Sequence, residues 1–290
     1  MRAIHLQRSA RCGASLVMMF GGAMCLAQPD DRPPSEPERV PTVPTRAPVK
    51  PKAEPLTEPA RPVLRPLITE VLYAVPTGET GDANGDGTRH VSGDEFVEIV
   101  NPHDTPVQML GYMITDAAAS EPRGKSGGGG GGGVRFVFPA FELPARGVVV
   151  VFNGNSASWA GPVGDAKAAP KKSDEKFGGA YVFTMRQGSQ RAALGNASDA
   201  VMLSGPDGVV VQRVRWGKAA EGAADPKIAV DETAPVVNKG SVVRMGEGKD
   251  AAWHSHVDVD LRPFSPGVQI VINPAPEPPM EETKPQSQPD

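Results

Sequence analysis

The residues best suited to chemistry lie in the segment DANGDG, Asp82–Gly87. Side-chain oxygens stand at alternate positions of this segment, on Asp82, Asn84 and Asp86. Ca²⁺ is a hard cation that takes several oxygen ligands from a turn of this kind, and the closing glycine allows the chain to turn tightly. The spacing therefore predicts a calcium-binding loop. The alternative is a hairpin loop in which the same side chains only accept hydrogen bonds from neighbouring backbone N–H groups.

The rest of the ligand set must come from residues that follow the loop. The twelfth residue of a helix-loop-helix calcium motif is a bidentate Glu, but that position here is Gly93, and no helical pattern flanks the loop. The nearest acids, Asp94 and Glu95, are expected to take its place. The predicted metal ligands are Asp82, Asn84, Asp86, Asp94 and Glu95. Because the set is partial, we expect a dissociation constant of about 10⁻⁴ to 10⁻³ M, typical of extracellular calcium modules.

A second group of possible metal ligands is His254-Ser255-His256, followed by Asp258 and Asp260. In an extended segment, alternate residues point to the same side, so the two imidazoles could share a Zn²⁺ or Cu²⁺ ion. Two histidines on the surface of an acidic loop need no such explanation, and this second interpretation is preferred.

No motif of a catalytic site is present. Gly124-Lys125-Ser126 ends like a phosphate-binding loop, but Ala119 stands where the earlier glycine is required. The chain has no HExxH and no GxSxG, and both of its cysteines, Cys12 and Cys25, lie in an N-terminal segment expected to be removed. We therefore expect a protein that is not an enzyme, with no catalytic residue and no organic cofactor.

The elements that position these residues are short β-strands. β-Branched and aromatic runs, separated by Gly, Pro, Asn and Asp, follow one another without any long window of helical periodicity. The predicted strands are Leu67–Val75, Glu95–Asn101, Val107–Thr115, Val134–Phe138, Gly147–Phe152, Tyr181–Thr184, Ala200–Ser204, Val209–Trp216, Ser241–Met245 and Val268–Ile272. Such a pattern is typical of an all-β sandwich or barrel.

Two glycine-rich insertions interrupt the strands. Ala118–Gly133 ends in seven consecutive glycines, and Gly154–Gly179 is rich in Ala, Gly and Lys. Glycine loses the most conformational entropy on ordering, and few side chains in these segments look able to pack. Both are predicted to be mobile surface loops. The lysines Lys167, Lys171, Lys172 and Lys176 make the second one locally basic.

The N-terminus has the pattern of a Sec-type secretory signal. Three arginines, Arg2, Arg8 and Arg11, are followed by an apolar run from Cys12 to Leu26 and then by Ala27 and Gln28. The run is shorter than the roughly 20 residues of a spanning helix, so cleavage after Ala27 is favoured over a retained anchor. We expect an exported protein, periplasmic or extracellular, with no transmembrane segment in the mature chain and no thiol.

Proline-rich flanks surround the strand region. Residues 28–66 contain 12 prolines and residues 273–290 contain six, with almost no large apolar side chains. Such segments cannot offset their ordering entropy, so both are predicted to be disordered. The expected organisation is a signal peptide at 1–27, a linker at 28–66, a folded domain at 67–272 and a tail at 273–290. Without three signal arginines, 27 basic side chains face 34 acidic ones, a net charge of −7 that disfavours nucleic acid as partner.

Several segments, in order, resemble the lamin tail domain, an immunoglobulin-like β-sandwich of nuclear lamins and of many exported bacterial proteins. The segments are Ile68–Gly78, Asp94–Pro102, Val107–Asp116, Phe136–Phe152, Leu194–Gly217, Ser241–Met245 and Phe264–Gly267. The resemblance implies an all-β, immunoglobulin-like β-sandwich that recognises or tethers a partner and carries no catalytic residues. We expect a binding module whose partner is a protein or glycan of the cell envelope. The alternative is an accessory or structural subunit of a secreted hydrolase or nuclease system.

Overall fold

The computed structural model describes residues 64–120, 133–186 and 192–270, which belong to one compact unit. The predicted signal peptide, the C-terminal tail and the linker up to residue 63 lie outside these ranges. Of the glycine run at 127–133, only the last residue is described. The domain boundaries proposed from the sequence therefore stay predictions.

The described residues form strands arranged in two large sheets and one small one. A seven-stranded sheet has the order β14-β13-β1-β2-β7-β9-β8, a five-stranded sheet has the order β12-β11-β10-β4-β5, and β3 pairs with β6. The strands are β1 Leu67–Ala74, β2 Phe96–Val100, β3 Val107–Gln108, β4 Met113–Asp116, β5 Arg135–Val137, β6 Glu142–Leu143, β7 Val148–Phe152, β8 Val163–Gly164, β9 Tyr181–Thr184, β10 Asp199–Ser204, β11 Val210–Trp216, β12 Val230–Thr233, β13 Gly240–Met245 and β14 Ala252–Ser255. The all-β, immunoglobulin-like sandwich expected from the sequence is confirmed.

In the described residues, helices are limited to single turns. The α-helices are α1 Ala117–Ser120 and α2 His256–Val259, and short 3-10 turns occur at Glu79–Gly81, Glu175–Phe177, Gly217–Ala220 and Gly248–Asp250. No helix in the described ranges has the length and hydropathy needed to cross a membrane.

The main core lies between the two large sheets. Tyr73 of β1 stacks on Trp216 of β11, with ring centroids 4.3 Å apart and planes inclined by 5°. Both polar ends of this pair are satisfied, because the Tyr73 hydroxyl donates to the Pro235 carbonyl and the Trp216 indole donates to the Gly195 carbonyl, at 2.8 and 2.7 Å. The buried aromatic pair thus links β1 to β11 without leaving an unpaired donor.

A second apolar cluster covers the outer face of the seven-stranded sheet and corrects one prediction. Gly154–Gly179 was expected to be a mobile loop with little to pack. Instead Phe177 is buried against Phe152 of β7, at 5.4 Å between ring centroids, and Trp159 packs at 5.3 Å from the same ring. Burying a large apolar side chain contributes about 1.5 to 3 kcal/mol of stability. The burial of these aromatic side chains therefore offsets the conformational entropy that the glycines of the segment lose on ordering.

The strand predictions differ from the structure in identifiable places. The single run Val107–Thr115 is divided into β3 and β4 by a turn at Gly111, whose φ of 82° a side-chain-bearing residue rarely adopts. Residues 268–270 form no strand, and 271–272 lie outside the described residues. Four strands that are at most four residues long, β6, β8, β12 and β14, were not predicted. Strands this short carry little alternation. β9 is equally short but was predicted, because all four of its residues are β-branched or aromatic.

A buried polar side chain ties the two large sheets together. Gln212 of β11 is fully buried, accepts a hydrogen bond from the Ile68 N–H at 2.6 Å and donates to the Ile68 carbonyl at 3.2 Å. The backbone N–H and the backbone C=O of Ile68 in β1 therefore both have a hydrogen-bond partner on the opposite sheet.

Candidate functional site

The DANGDG loop follows the 3-10 turn at Glu79–Gly81 and folds its oxygens inward. Asp82 accepts hydrogen bonds from the backbone N–H groups of Asp86 and Gly87, at 3.1 and 2.8 Å. The Asn84 side-chain oxygen also accepts from the Asp86 N–H, at 2.9 Å. These local bonds are those expected of a turn built from Asp and Asn side chains. They leave further lone pairs on each oxygen, since a carboxylate can accept about four hydrogen bonds.

Asp94 lies beneath the same loop and is fully buried. Its two oxygens accept from the backbone N–H groups of Asn84 and His90, at 2.9 and 2.6 Å. Burial raises the pKa of Asp94, and the negative charges of Asp82 and Asp86 raise it further, against the effect of these two donors. Four of the five predicted ligands, Asp82, Asn84, Asp86 and Asp94, are therefore neighbours in the folded chain.

Glu95 is directed elsewhere. Its carboxyl group accepts from the Leu194 N–H at 3.0 Å and from the Asn153 side-chain amide at 3.3 Å. Burial raises its pKa to about 9, and the charges of Asp199 and Asp116 add to the effect. Asp94 ends the turn at residues 91–94 and Glu95 leads into β2, so the two carboxyl groups separate where the turn passes into the strand.

The loop offers a partial fit to a hard cation. Asp82, Asn84 and Asp86 supply oxygens of the preferred kind. A positive charge is already present, because the Lys176 ammonium donates to the backbone carbonyls of Asn84, at 3.2 Å, and of Gly85. Across the three described ranges, no group of three or more His, Cys, Asp or Glu side chains has a metal-binding arrangement. The residues thus suit a weak calcium site better than a complete one.

The two histidines singled out in the sequence do not share a site. His254 lies on β14 and is exposed, whereas His256 begins α2 and is completely buried. The extended conformation assumed for the segment ends at Ser255, and the change to a helical turn removes the alternation on which a shared ion depended.

A buried polar cluster on the outer face of the seven-stranded sheet was not predicted. Glu70 of β1 and Glu98 of β2 are cross-strand partners, at 1% and 2% exposure. The loop that follows α2 closes over them: the Ser265 N–H donates to Glu70 at 2.9 Å and the Gly267 N–H donates to Glu98 at 2.8 Å. Burial raises the pKa of both carboxyl groups, and for Glu70 the Glu98 charge adds to it.

His256 and Ser265 complete this cluster. The His256 Nδ1 lies 2.7 Å from the Arg262 carbonyl, an acceptor, so Nδ1 carries a proton. Its Nε2 lies 2.8 Å from the Ser265 hydroxyl, which also contacts a Glu70 oxygen at 3.0 Å. A Ser-His contact of this length resembles the start of a nucleophilic site, but both side chains are buried, at 2% and 0% exposure. The Ser265 hydroxyl connects His256 to Glu70 and so joins the loop that follows α2 to β1.

The sequence contained one signal of this cluster. Glu70 and Glu98 interrupt strands that are otherwise apolar, and a carboxyl group in such a strand must find hydrogen-bond partners when it is buried. Thr69 of β1 donates to Glu98 at 2.7 Å. The other partners come from residues 241, 265 and 267, far along the chain, and no local pattern points to those.

The fold and these clusters define a two-sheet immunoglobulin-like domain whose buried polar groups serve its own architecture. The Lamin Tail Domain family matches residues 61–218, more than half of the chain, and the protein belongs to this family. The family's immunoglobulin-like fold is generally non-catalytic and is of a protein-interaction type. No match was found among curated proteins. The segments Ser241–Met245 and Phe264–Gly267, which also resemble the family, lie beyond the matched residues.

Proposed function

We propose that this protein is an exported, non-catalytic module that binds a protein of the cell envelope or the extracellular space. The supporting observation is an open groove that is bordered by Glu70 and Glu98, next to the buried side chains of Ser265 and His256. The groups most capable of catalysis, around Ser265 and His256, are engaged with one another and inaccessible. The groove lies across β13, β1 and β2 and has a volume of about 1250 Å³.

The lining of the groove favours a protein partner. Its walls combine apolar side chains, among them Leu67, Val100 and Val243, with the charged residues Arg146, Glu247 and Lys249. No aromatic residue is among the described residues that line it, although a sugar-binding surface commonly uses one as a stacking platform. The groove also contains the carboxyl groups of Glu70 and Glu98. Apolar side chains mixed with charged ones fit an extended protein segment, whose side chains alternate between apolar and polar.

Charge reversal on the groove rim tests this proposal. Arg146 and Lys249 are exposed, so Arg146→Glu with Lys249→Glu changes the rim without disturbing the core. We expect the double variant to lose the proteins that wild type captures from an envelope extract, because unfavourable charge contacts reduce association. The control is Lys218→Glu with Lys227→Glu, outside the groove lining. Equal loss in both variants, or capture of polysaccharide alone, contradicts the proposal.

Export is tested by the N-terminus of the mature protein. The signal pattern favours cleavage after Ala27, so mass spectrometry of protein from the periplasm or culture medium should find Gln28 as the first residue. Full-length chain confined to the cytosol is the contrary result.

Calcium binding is proposed at Asp82, Asn84 and Asp86, with Asp94 beneath them. At one hundred times the dissociation constant, an ion that binds only the folded state stabilises it by about 2.7 kcal/mol. The melting temperature should therefore rise in millimolar Ca²⁺ and fall with chelator. Asp82→Ala with Asp86→Ala should abolish the response, whereas Asp258→Ala, an exposed acid far along the chain, should leave it intact. A wild-type melting curve unaffected by Ca²⁺ would refute the site.

Hydrolase activity is the outcome that would overturn the non-catalytic assignment. Phosphatase and nuclease assays on the purified chain should show no turnover above buffer. Robust turnover that disappears in Ser265→Ala, while the variant keeps its wild-type melting temperature, would reassign the buried pair to catalysis.

A further inference from the structure

Two Asn-Gly sequences lie in the described residues, Asn84-Gly85 and Asn153-Gly154, and their surroundings differ. An asparagine followed by glycine can lose its side-chain amide when the next backbone nitrogen attacks the side-chain carbonyl carbon. The glycine removes the steric hindrance that a Cβ would cause. Local structure decides whether the nitrogen is free to attack and whether the amide can leave.

At Asn84 the nucleophile is free. None of the described residues accepts a hydrogen bond from the Gly85 N–H. The carbonyl of the same peptide, Asn84 O, accepts from the Lys176 ammonium at 3.2 Å. When the peptide nitrogen loses its proton, the negative charge spreads onto this oxygen, so the ammonium stabilises the attacking form.

The electrophile and the leaving group are also favourably placed. The Asn84 side-chain oxygen accepts the Asp86 N–H at 2.9 Å, and this bond draws electrons from the carbonyl carbon as it is attacked. The same bond folds the side chain over the Gly85 peptide. The side-chain nitrogen, which must leave, is buried and has no hydrogen-bond partner among the described residues. Nothing therefore anchors the departing amide.

Asn153-Gly154 shows the opposite arrangement. The Gly154 N–H donates to the Gly93 carbonyl at 3.0 Å, so the nucleophile is occupied. The Asn153 amide donates to the Ala192 carbonyl at 2.7 Å and to Glu95 at 3.3 Å, so the leaving group is held. The two sites share a dipeptide and differ in tertiary contacts, which makes one a natural control for the other.

We propose that Asn84 is a site of spontaneous, structure-directed deamidation. The Gly85 nitrogen gives up its proton to water and forms a bond to the Asn84 side-chain carbonyl carbon. The bond from that carbon to the amide nitrogen breaks, and the nitrogen takes up a proton and departs as ammonia. Water then opens the cyclic imide, leaving an aspartate or an isoaspartate at this position. The product adds a carboxylate to a loop that already contains Asp82 and Asp86 and lies over Asp94.

Peptide mass spectrometry over time tests the proposal. The intact chain is incubated in buffer with chelator, so that the outcome does not depend on calcium binding, and a second sample is kept in denaturant. In the folded protein, Asn84 should convert at least about tenfold faster than Asn153, a difference of about 1.4 kcal/mol in barrier. In denaturant the two rates should approach each other. Equal rates in the folded protein would overturn the proposal.

Lys176 gives an independent test. Lys176→Ala removes the ammonium from the Asn84 carbonyl and should slow conversion of Asn84 by about tenfold. Lys172→Ala removes an exposed lysine of the same segment and should leave the rate unchanged. Melting temperatures establish that both variants are folded, and Asn84→Gln, which would need a larger ring, should give no product. An Asn84 rate that is the same in Lys176→Ala as in wild type contradicts the mechanism.

Discussion

Ionisation of the buried Glu95 should make the protein less stable as pH rises through the neutral range. Its folded-state pKa is about 9 because burial disfavours the charged form, against an ordinary value of 4.5. A carboxyl group with a raised folded pKa stabilises the fold fully below its unfolded pKa and loses this contribution as pH rises through the folded pKa. The sensitive window is therefore about pH 4.5 to 9.

The size of the effect follows from the pKa shift. Between pH 6 and 8 the unfolded chain has ionised Glu95, whereas the folded chain keeps most of its proton. Each pH unit in this range lowers the free energy of unfolding by about 1.4 kcal/mol, so the total is about 3 kcal/mol. Glu95→Gln removes the titration and keeps an oxygen to accept from the Leu194 N–H.

Urea unfolding at pH 6, 7 and 8 measures this effect. The raised pKa values of Glu70 and Glu98 add their own loss of stability, but equally in wild type and variant, so the difference in slope isolates Glu95. Glu142→Gln, at an exposed position of β6, should keep the wild-type slope. Parallel slopes for Glu95→Gln and wild type would show that Glu95 is ionised in the fold and that its assigned environment is wrong.

Three further predictions concern stability. Gly267→Ala should lower the free energy of unfolding in urea by at least about 2 kcal/mol. The φ of Gly267 is 83°, and an added Cβ would lie 2.0 Å from the Phe177 carbonyl oxygen. Gly222→Ala is the control and should cost less, because Gly222 has a similar φ but open space around it. Gln212→Ala should cost about 1 to 3 kcal/mol by the same assay, because the N–H and the C=O of Ile68 each lose a hydrogen bond. A fragment lacking residues 219–270 should show no cooperative unfolding, because it loses β13 from the seven-stranded sheet and β12 from the five-stranded sheet. A fragment that unfolds cooperatively contradicts this prediction.

The local features of this protein were predictable because they depend on neighbours in sequence. Turn residues separating short β-branched runs indicated the all-β class, and most of the longer strands were located to within a residue or two. The inward-folded oxygens of Asp82, Asn84 and Asp86 follow from a spacing of two residues and a tight turn. Glu95 was the exception, because its hydrogen-bond partners, Asn153 and Leu194, are distant in the sequence.

Contacts between distant segments decided the rest. Glu70 lies opposite Glu98 and beneath Ser265, so its environment depends on pairing across 28 and 195 positions. The burial of His256 and Phe177 likewise depends on which sheet face each segment covers. Hydrophobic burial is non-directional and names no particular partner, so a sequence pattern shows that a residue will be buried without showing against what. Short-range sequence patterns therefore determined the all-β class of the domain. The buried polar clusters and the open groove arose only from contacts in the tertiary structure.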